Sequence, residues 1–267
     1  METAEIVTTI AAMRAHVAAW RRDGARVGLV PTLGALHDGH LSLVEESRKR
    51  ARRTIVSIFV NPTQFAPHED FDRYPRMLQA DAAKLGRAAD LIFAPSVAEM
   101  YPQGFATRID VGGPSVGLET DFRPHFFSGV ATIVAKLLIA AMPDIAVFGE
   151  KDYQQLLVIR RLNADLALPV EIVGAPILRE ADGLAMSSRN AYLKPHERAV
   201  AGKMNVVLKN ATSESQATEQ LLQAGFDCVD YVAVRDAATL GAVGDGPKRI
   251  LAAAKIGGTR LIDNMEI

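Results

Sequence analysis

Short runs of apolar, β-branched residues alternate along the chain with longer stretches in which apolar residues recur every three or four positions. In residues 9–22, Ile10, Met13, Val17 and Trp20 fall on one helical face. Residues 27–30 read as a short buried strand, and residues 41–53 return to a helical period. Residues 54–60 (TIVSIFV) are rich in β-branched side chains and predict a strand. A loop carrying three prolines follows at 61–75. Helices at 77–87, 129–142 and 152–166 then alternate with strands at 90–94, 144–148 and 170–173.

That alternation implies a parallel sheet covered by helices on both faces. Ligands of such sheets lie beyond the carboxyl ends of the strands. The loops after Val30, Val60, Phe148 and Val173 are therefore where function is expected. After about residue 175 the pattern changes. Helical segments near 195–210 and 214–224 precede strands at 230–234, 249–256 and 259–267, and Gly257-Gly258 is a hairpin signal. The expectation is an α/β chain, with a Rossmann-like parallel-sheet domain at residues 1–175 and a smaller α+β domain at residues 176–267 that covers a ligand site.

Composition narrows the function classes. Lys and Arg number 30 against 31 Asp and Glu, a net charge of −1. A nearly neutral chain lacks the broad basic field of a nucleic-acid binder. The basic run Arg48, Lys49, Arg50, Arg52 and Arg53 falls at a helix end, where the dipole favours cations. The single cysteine, Cys228, excludes an intrachain disulfide framework and a cysteine-cluster metal site. The most apolar stretch, 130–142, contains Lys136 and stops at Pro143, too short and too charged to span a bilayer. Arg14, His16, Arg21 and Arg22 interrupt any apolar leader, so a cytoplasmic, membrane-free protein is expected.

The first loop, residues 31–40, reads PTLGALHDGH between a strand and a helix. Its two histidines, three apart with a glycine between, face the same way at a helix start. A helix N-terminus attracts phosphate and disfavours an imidazolium, so neutral imidazoles would serve there as N–H donors. A tight turn with two surface histidines fits the same spacing. Zinc fits less well, because no third ligand lies nearby in sequence.

The His37-Asp38-Gly39-His40 element resembles the signature of class I nucleotidyl-transferring enzymes. Further strings agree with one family among them: FVNPTQF at 59–65, FGEKDYQQ at 148–155, READGLAMSSRN at 179–190 and TRLIDN at 259–264. From about residue 25 to the C-terminus the chain is similar to the pantoate–β-alanine ligase (pantothenate synthetase) family. The resemblance implies that ATP activates pantoate as an adenylate, that β-alanine displaces AMP, and that Mg2+ accompanies ATP. It also implies a homodimer acting on small molecules.

Carried over residue by residue, the resemblance implies ATP binding by Leu33, Gly34, Ala35, Leu36, His37, Asp38, Gly39 and His40. It adds Gly149, Glu150, Lys151 and Asp152 after the third of the informative strands, then Leu178, Met186, Ser187, Ser188 and Arg189. His37, His40 and Lys151 are the implied catalytic groups, with His40 as proton donor. Gln64 and Gln155 are the implied pantoate readers, Gln64 also meeting β-alanine. No metal ligands are singled out. Asp152 could instead cap the following helix. Residues 62–75 and 112–128 are candidate lids, since an acyl adenylate must be kept from water.

Two positions depart from the family pattern. Leu33 stands where methionine is usual, a change of similar volume. Arg123-Pro124-His125-Phe126-Phe127 stands where the pattern reads Arg-Pro-Gly-His-Phe. If that glycine requires a positive φ, His125 costs about 1 kcal/mol or more. A nucleotidyltransferase for another acid, or a nucleotide-binding module without turnover, are the competing readings.

Overall fold

The computed structural model describes residues 3–66 and 69–267. Residues 67 and 68, inside the proline-bearing loop, lie outside the described residues. Six strands form one sheet: β1 (Glu5–Val7), β2 (Val27–Thr32), β3 (Arg53–Ile58), β4 (Leu91–Phe93), β5 (Ile145–Gly149) and β6 (Glu171–Ala175). They lie in the order β1-β4-β3-β2-β5-β6, and every pairing is parallel. The predicted parallel sheet is thus present. Its edge strand β1, three residues long, is too short to show a period in the sequence.

Side-chain alternation divides the core into two layers, as it must on a sheet buried on both faces. Leu29, Ile55, Leu91, Phe93, Ala146 and Phe148 pack on one face, against α1 (Ile10–Arg22) and against the later helices Phe126–Ala141 and Tyr153–Asp165. Val30, Val56, Ile92, Ile145 and Val147 pack on the other, against α2 (Asp38–Arg50) and α3 (Leu78–Leu85). Short helices α4 (Val97–Met100) and α5 (Glu119–Phe122) precede the two long ones, α6 (Phe126–Ala141) and α7 (Tyr153–Asp165). Helix α6 is nearly all apolar because the sheet and α7 cover most of it. No helix among the described residues is long and apolar enough to cross a membrane.

Helix α2 begins three residues earlier than the period suggests, because His37 caps it. It ends at Arg50, and Arg53 already belongs to β3 rather than to the basic helix end. His125 has φ −101° and ψ −2°, an ordinary right-handed conformation at the start of α6. The strain expected there is absent, since this backbone does not require a glycine.

Beyond β6 come α8 (Pro195–Ala201), α9 (Lys203–Lys209) and α10 (Glu214–Ala224). They pack on an antiparallel sheet of β7 (Cys228–Asp236), β8 (Lys248–Ile256) and β9 (Thr259–Glu266), around their own apolar cluster. The register Ile256↔Thr259 closes the β8–β9 hairpin over Gly257-Gly258, as predicted. The chain segment entering this unit is fastened to it by Arg179. Its two terminal nitrogens donate to Asp263 at 2.7 and 2.9 Å, and Asp263 is 3% exposed.

Arg179→Ala leaves that carboxylate buried without its cation, and a loss of about 3–5 kcal/mol is expected. Urea unfolding at pH 7 measures it; a loss below about 1 kcal/mol would place the pair among solvent-screened contacts.

Candidate active site

The strand order reverses direction between β2 and β5, so the crevice beyond their carboxyl ends is the switch point of the sheet. The loop after β2 ends at His37, and the first turn of α2 carries His40; the loop after β5 carries Lys151 in a 3-10 turn at Glu150–Asp152. Both open into one cleft of about 740 Å3.

The histidines cap α2 reciprocally. The Gly39 N–H donates to His37 Nδ1 at 3.1 Å, and the His37 N–H donates to His40 Nδ1 at 3.3 Å. The rings lie 4.1 Å apart. An Nδ1 that accepts leaves the ring proton on Nε2, so both rings offer an Nε2–H donor. Burial, then Lys151 and Lys84, lower His37 to about 4. Burial, His37 and the same two lysines lower His40 to about 3. Both are neutral at pH 7, so each meets a ligand as an uncharged Nε2–H donor rather than as an imidazolium.

The preceding turn is held from α3. Asp81, 1% exposed, accepts from the Ala35 and Leu36 amides at 2.9 and 2.8 Å. Ala35 has φ +52°, so this double bond holds a conformation that alanine resists. Lys84 Nζ donates to the Leu36 carbonyl at 2.6 Å. No sequence signal marked Asp81 or Lys84.

Of the predicted nucleotide contacts, Leu33, His37, Gly39, His40, Gly149, Lys151, Asp152, Leu178, Met186, Ser187, Ser188 and Arg189 line the cleft. Gly34, Ala35, Leu36, Asp38 and Glu150 do not. The Ala35 and Leu36 amides are spent on Asp81, and Glu150 faces Arg249 at 3.6 Å. Lys151 Nζ stands 3.9 Å from Asp152, whose side chain makes no capping bond to α7. Ser188 Oγ donates to the Ala35 carbonyl at 3.1 Å, tying the third loop to the first. Arg189 grips Asp70 through two bonds of 3.1 and 2.9 Å.

Gln64 and Gln155 both line the cleft. Asn61, 1% exposed, donates to Gln64 Oε1 at 3.1 Å, which leaves the Gln64 NH2 as the free end. The neighbouring Gln154 also borders the cleft, but its amide is spent: it donates to the Pro114 and Gly117 carbonyls and accepts from the Glu119 amide. Asn264 of β9 donates to the Glu150 and Lys151 carbonyls at 3.0 and 2.9 Å. The string TRLIDN signalled that strand, but not its reach to the Lys151 turn. Arg73 also lines the cleft and has no carboxylate within ion-pair distance among the described residues.

A doubly wound parallel sheet with paired imidazoles, a lysine and a serine–arginine turn gathered at its switch point is an α/β arrangement suited to an anionic ligand. The sequence family described as pantoate-beta-alanine ligase matches residues 5–266, and the chain belongs to that family. The pantothenate synthetase of Mesorhizobium japonicum is 58% identical over all of this chain and 99% of its own length. That of Caulobacter vibrioides is 54% identical over 98% of each. The crystal structure of pantothenate synthetase from Thermus thermophilus superposes with a TM-score of 0.89, at 45% identity and 98% coverage of each chain. The Francisella tularensis pantoate-beta-alanine ligase, described as complexed with beta-gamma ATP and beta-alanine, gives a TM-score of 0.87 at 34% identity, covering 98% of this chain and 97% of that one.

Because folding lowers both histidine pKa values, the stability they confer is complete above the ordinary 6.5 and drains away as pH falls toward about 4 and about 3. His40→Gln is expected to flatten the fall of unfolding free energy between pH 6.5 and 4. Nitrogen NMR is expected to show two Nε2–H imidazoles unchanged down to about pH 5; either ring titrating near 6.5 refutes the arrangement.

Proposed function

We propose that this pantoate–β-alanine ligase runs both of its half-reactions in the one cleft. A pantoate carboxylate oxygen attacks the α-phosphorus of ATP; the bond from that phosphorus to the bridging oxygen breaks, and pyrophosphate leaves. The β-alanine amine then attacks the pantoyl carbonyl carbon, the acyl–phosphate bond breaks, AMP leaves, and the amine loses its proton. The products are pantothenate, AMP and pyrophosphate.

The single observation that carries this reading is the convergence of two Nε2–H donors and Lys151 at the sheet's switch point. Charge builds on phosphate oxygens as the carboxylate attacks, and fixed donors aimed there lower the barrier without reorganising. Ser187, Ser188 and Arg189 receive the departing pyrophosphate in this proposal. The free NH2 of Gln64 and the amide of Gln155 read the pantoate carboxylate and hydroxyl, neutral groups that leave the carboxylate nucleophilic. Gln64 also faces β-alanine. Residues 1–175 hold nucleotide and acid, and residues 176–267 cover the nucleotide.

Among the described residues no cluster of three or more His, Cys, Asp or Glu forms a metal cage. Mg2+ enters this proposal as a companion of the ATP phosphates, keeping phosphate and water ligands. Homodimerisation and a cytoplasmic setting also stay part of the proposal.

Pantoate-dependent exchange of pyrophosphate into ATP, followed by AMP release on adding β-alanine, tests the reaction. Exchange driven by another acid and not by pantoate would reassign the substrate, and ATP binding without exchange would remove the enzyme reading. His40→Ala and Lys151→Ala are each expected to slow adenylate formation by about 10²–10³-fold with the fold intact by circular dichroism. Near-normal rates in both would show that the phosphate site lies elsewhere.

A further inference from the structure

Arg123 is assigned no role above, yet three elements meet at its guanidinium. Nη2 donates to Glu69 Oε2 at 2.8 Å and to the Gln64 carbonyl at 3.2 Å, while Nε donates to the other Glu69 oxygen. Nη1 lies 3.6 Å from Glu119. The guanidinium carbon sits 3.8 Å from the centre of the Phe126 ring, and the side chain is only 14% exposed. Burial favours a neutral Glu69, but the hydrogen bond and charge of Arg123 outweigh it and hold that carboxyl below its ordinary value.

Glu119 extends the chain of charges. It is buried, and it accepts from Arg260 Nη1 at 2.8 Å and from the Tyr231 hydroxyl at 2.8 Å. Arg260 Nε pairs with Asp230 at 2.7 Å. Signs therefore alternate from Glu69 through Arg123, Glu119 and Arg260 to Asp230, linking the loop after β3 to the antiparallel sheet.

The turn that carries Gln64 is also held at its start, where the Tyr101 hydroxyl donates to Asn61 Oδ1 at 2.7 Å. Asn61 holds the Gln64 side-chain oxygen and donates to the Gly129 carbonyl at 3.2 Å. A Cβ on Gly129 would stand 2.3 Å from the Thr63 carbonyl oxygen, so the turn rests directly on the α6 backbone. The main-chain carbonyl of Gln64 itself is gripped by Arg123.

We propose that Arg123 is a positioning residue for the acid substrate: backed by the Phe126 ring and braced by Glu69 and Glu119, it fixes the Gln64 main chain and so aims the free Gln64 NH2 at pantoate. The inference rests on Gln64 reading pantoate. Phe126 stands where the family pattern places a histidine, and here it supplies an aromatic face that a cation favours. A protonated imidazole in that place would oppose the guanidinium.

The test is steady-state pyrophosphate exchange with pantoate and ATP varied separately, in Gln64→Ala, Arg123→Lys, Phe126→Leu and the double variant Gln64→Ala/Arg123→Lys. Lysine keeps the charge but lacks the planar fork that holds both Glu69 oxygens while also reaching the Gln64 carbonyl. Arg123→Lys is expected to raise the pantoate KM about tenfold and to leave the ATP KM within about twofold, with Phe126→Leu shifting it the same way by less. The double variant is expected to be no worse for pantoate than Gln64→Ala alone, because one residue acts through the other. Additive losses, equal shifts in both KM values, or a lowered melting temperature with both KM values unchanged would overturn the proposal. A raised pantoate KM in Gln64→Ala with none in Arg123→Lys overturns this inference alone. An unchanged KM in Gln64→Ala overturns the assignment of Gln64 and this inference with it.

Discussion

The cleft depends on how the first turn of α2 satisfies its backbone. The leading N–H groups of a helix have no partner within it, and a serine or aspartate oxygen usually serves. Here imidazole nitrogens do that work, His37 Nδ1 for Gly39 and His40 Nδ1 for His37. One pair of bonds thereby sets the helix start, the tautomers and the charge. Protonating either ring would break the cap and place a cation at the positive end of a helix dipole, beside Lys151. The residue between them has no freedom either, since a Cβ on Gly39 would lie 2.8 Å from the His37 ring. The motif is therefore a structural solution whose by-product is two fixed, neutral donors.

The lysine of the site is placed by a different part of the chain. Its turn follows β5, yet the carbonyls of Glu150 and Lys151 are held by Asn264, 113 positions beyond Lys151. Asn264 in turn accepts from Arg249 of β8, whose guanidinium lies over the Tyr153 ring. Asp263, next to Asn264, fastens Arg179, from which the chain runs on to the serine–arginine turn. The antiparallel unit thus anchors two of the three loops that line the cleft, while Ser188 hooks the last to the first. Each half of the molecule contributes donors whose aim is set by the other half.

Period and composition revealed the sheet because buried strands between amphipathic helices leave an unambiguous trace. Val30 and Val56 face one layer, Leu29 and Ile55 the other, as parallel strands covered on both sides require. The site was legible where a motif is local: the paired histidines, the lysine turn and the serine–arginine turn all reach the same cleft. It was not legible where function rests on distant partners. Asp81 clamps a turn 45 residues before it, and nothing in its neighbourhood distinguishes it from any helical aspartate. Gln154 and Gln155 are adjacent, identical in type and both at the cleft wall, yet the Gln154 amide is spent on main-chain bonds that nothing in the sequence foretells. The cost expected at His125 fell away for the same reason, since φ is a property of the folded turn and not of the residue name.

The balance of charge in the cleft decides which contacts a polyphosphate makes without loss. Lys151 is 3.9 Å from Asp152, a separation at which little direct bonding is given up. Arg73 has no carboxylate partner among the described residues. Both meet an anion at little expense. Arg189 is different: its fork already holds Asp70 through two bonds, and that carboxyl is kept below its ordinary value because the arginine outweighs the effect of burial. The arginine's Nε and one Nη2 N–H are taken by Asp70, so a phosphate meets Arg189 through the remaining N–H groups, or replaces Asp70 in an exchange of one charge-assisted pair for another, each worth about 1.5–3 kcal/mol per hydrogen bond. Asp70 and Glu69 adjoin on one loop, and each is held by an arginine from a different element. Displacing Asp70 from Arg189 leaves that loop tied through Glu69 to Arg123, so the end of the loop bearing Gln64 keeps its anchor while the other gives way.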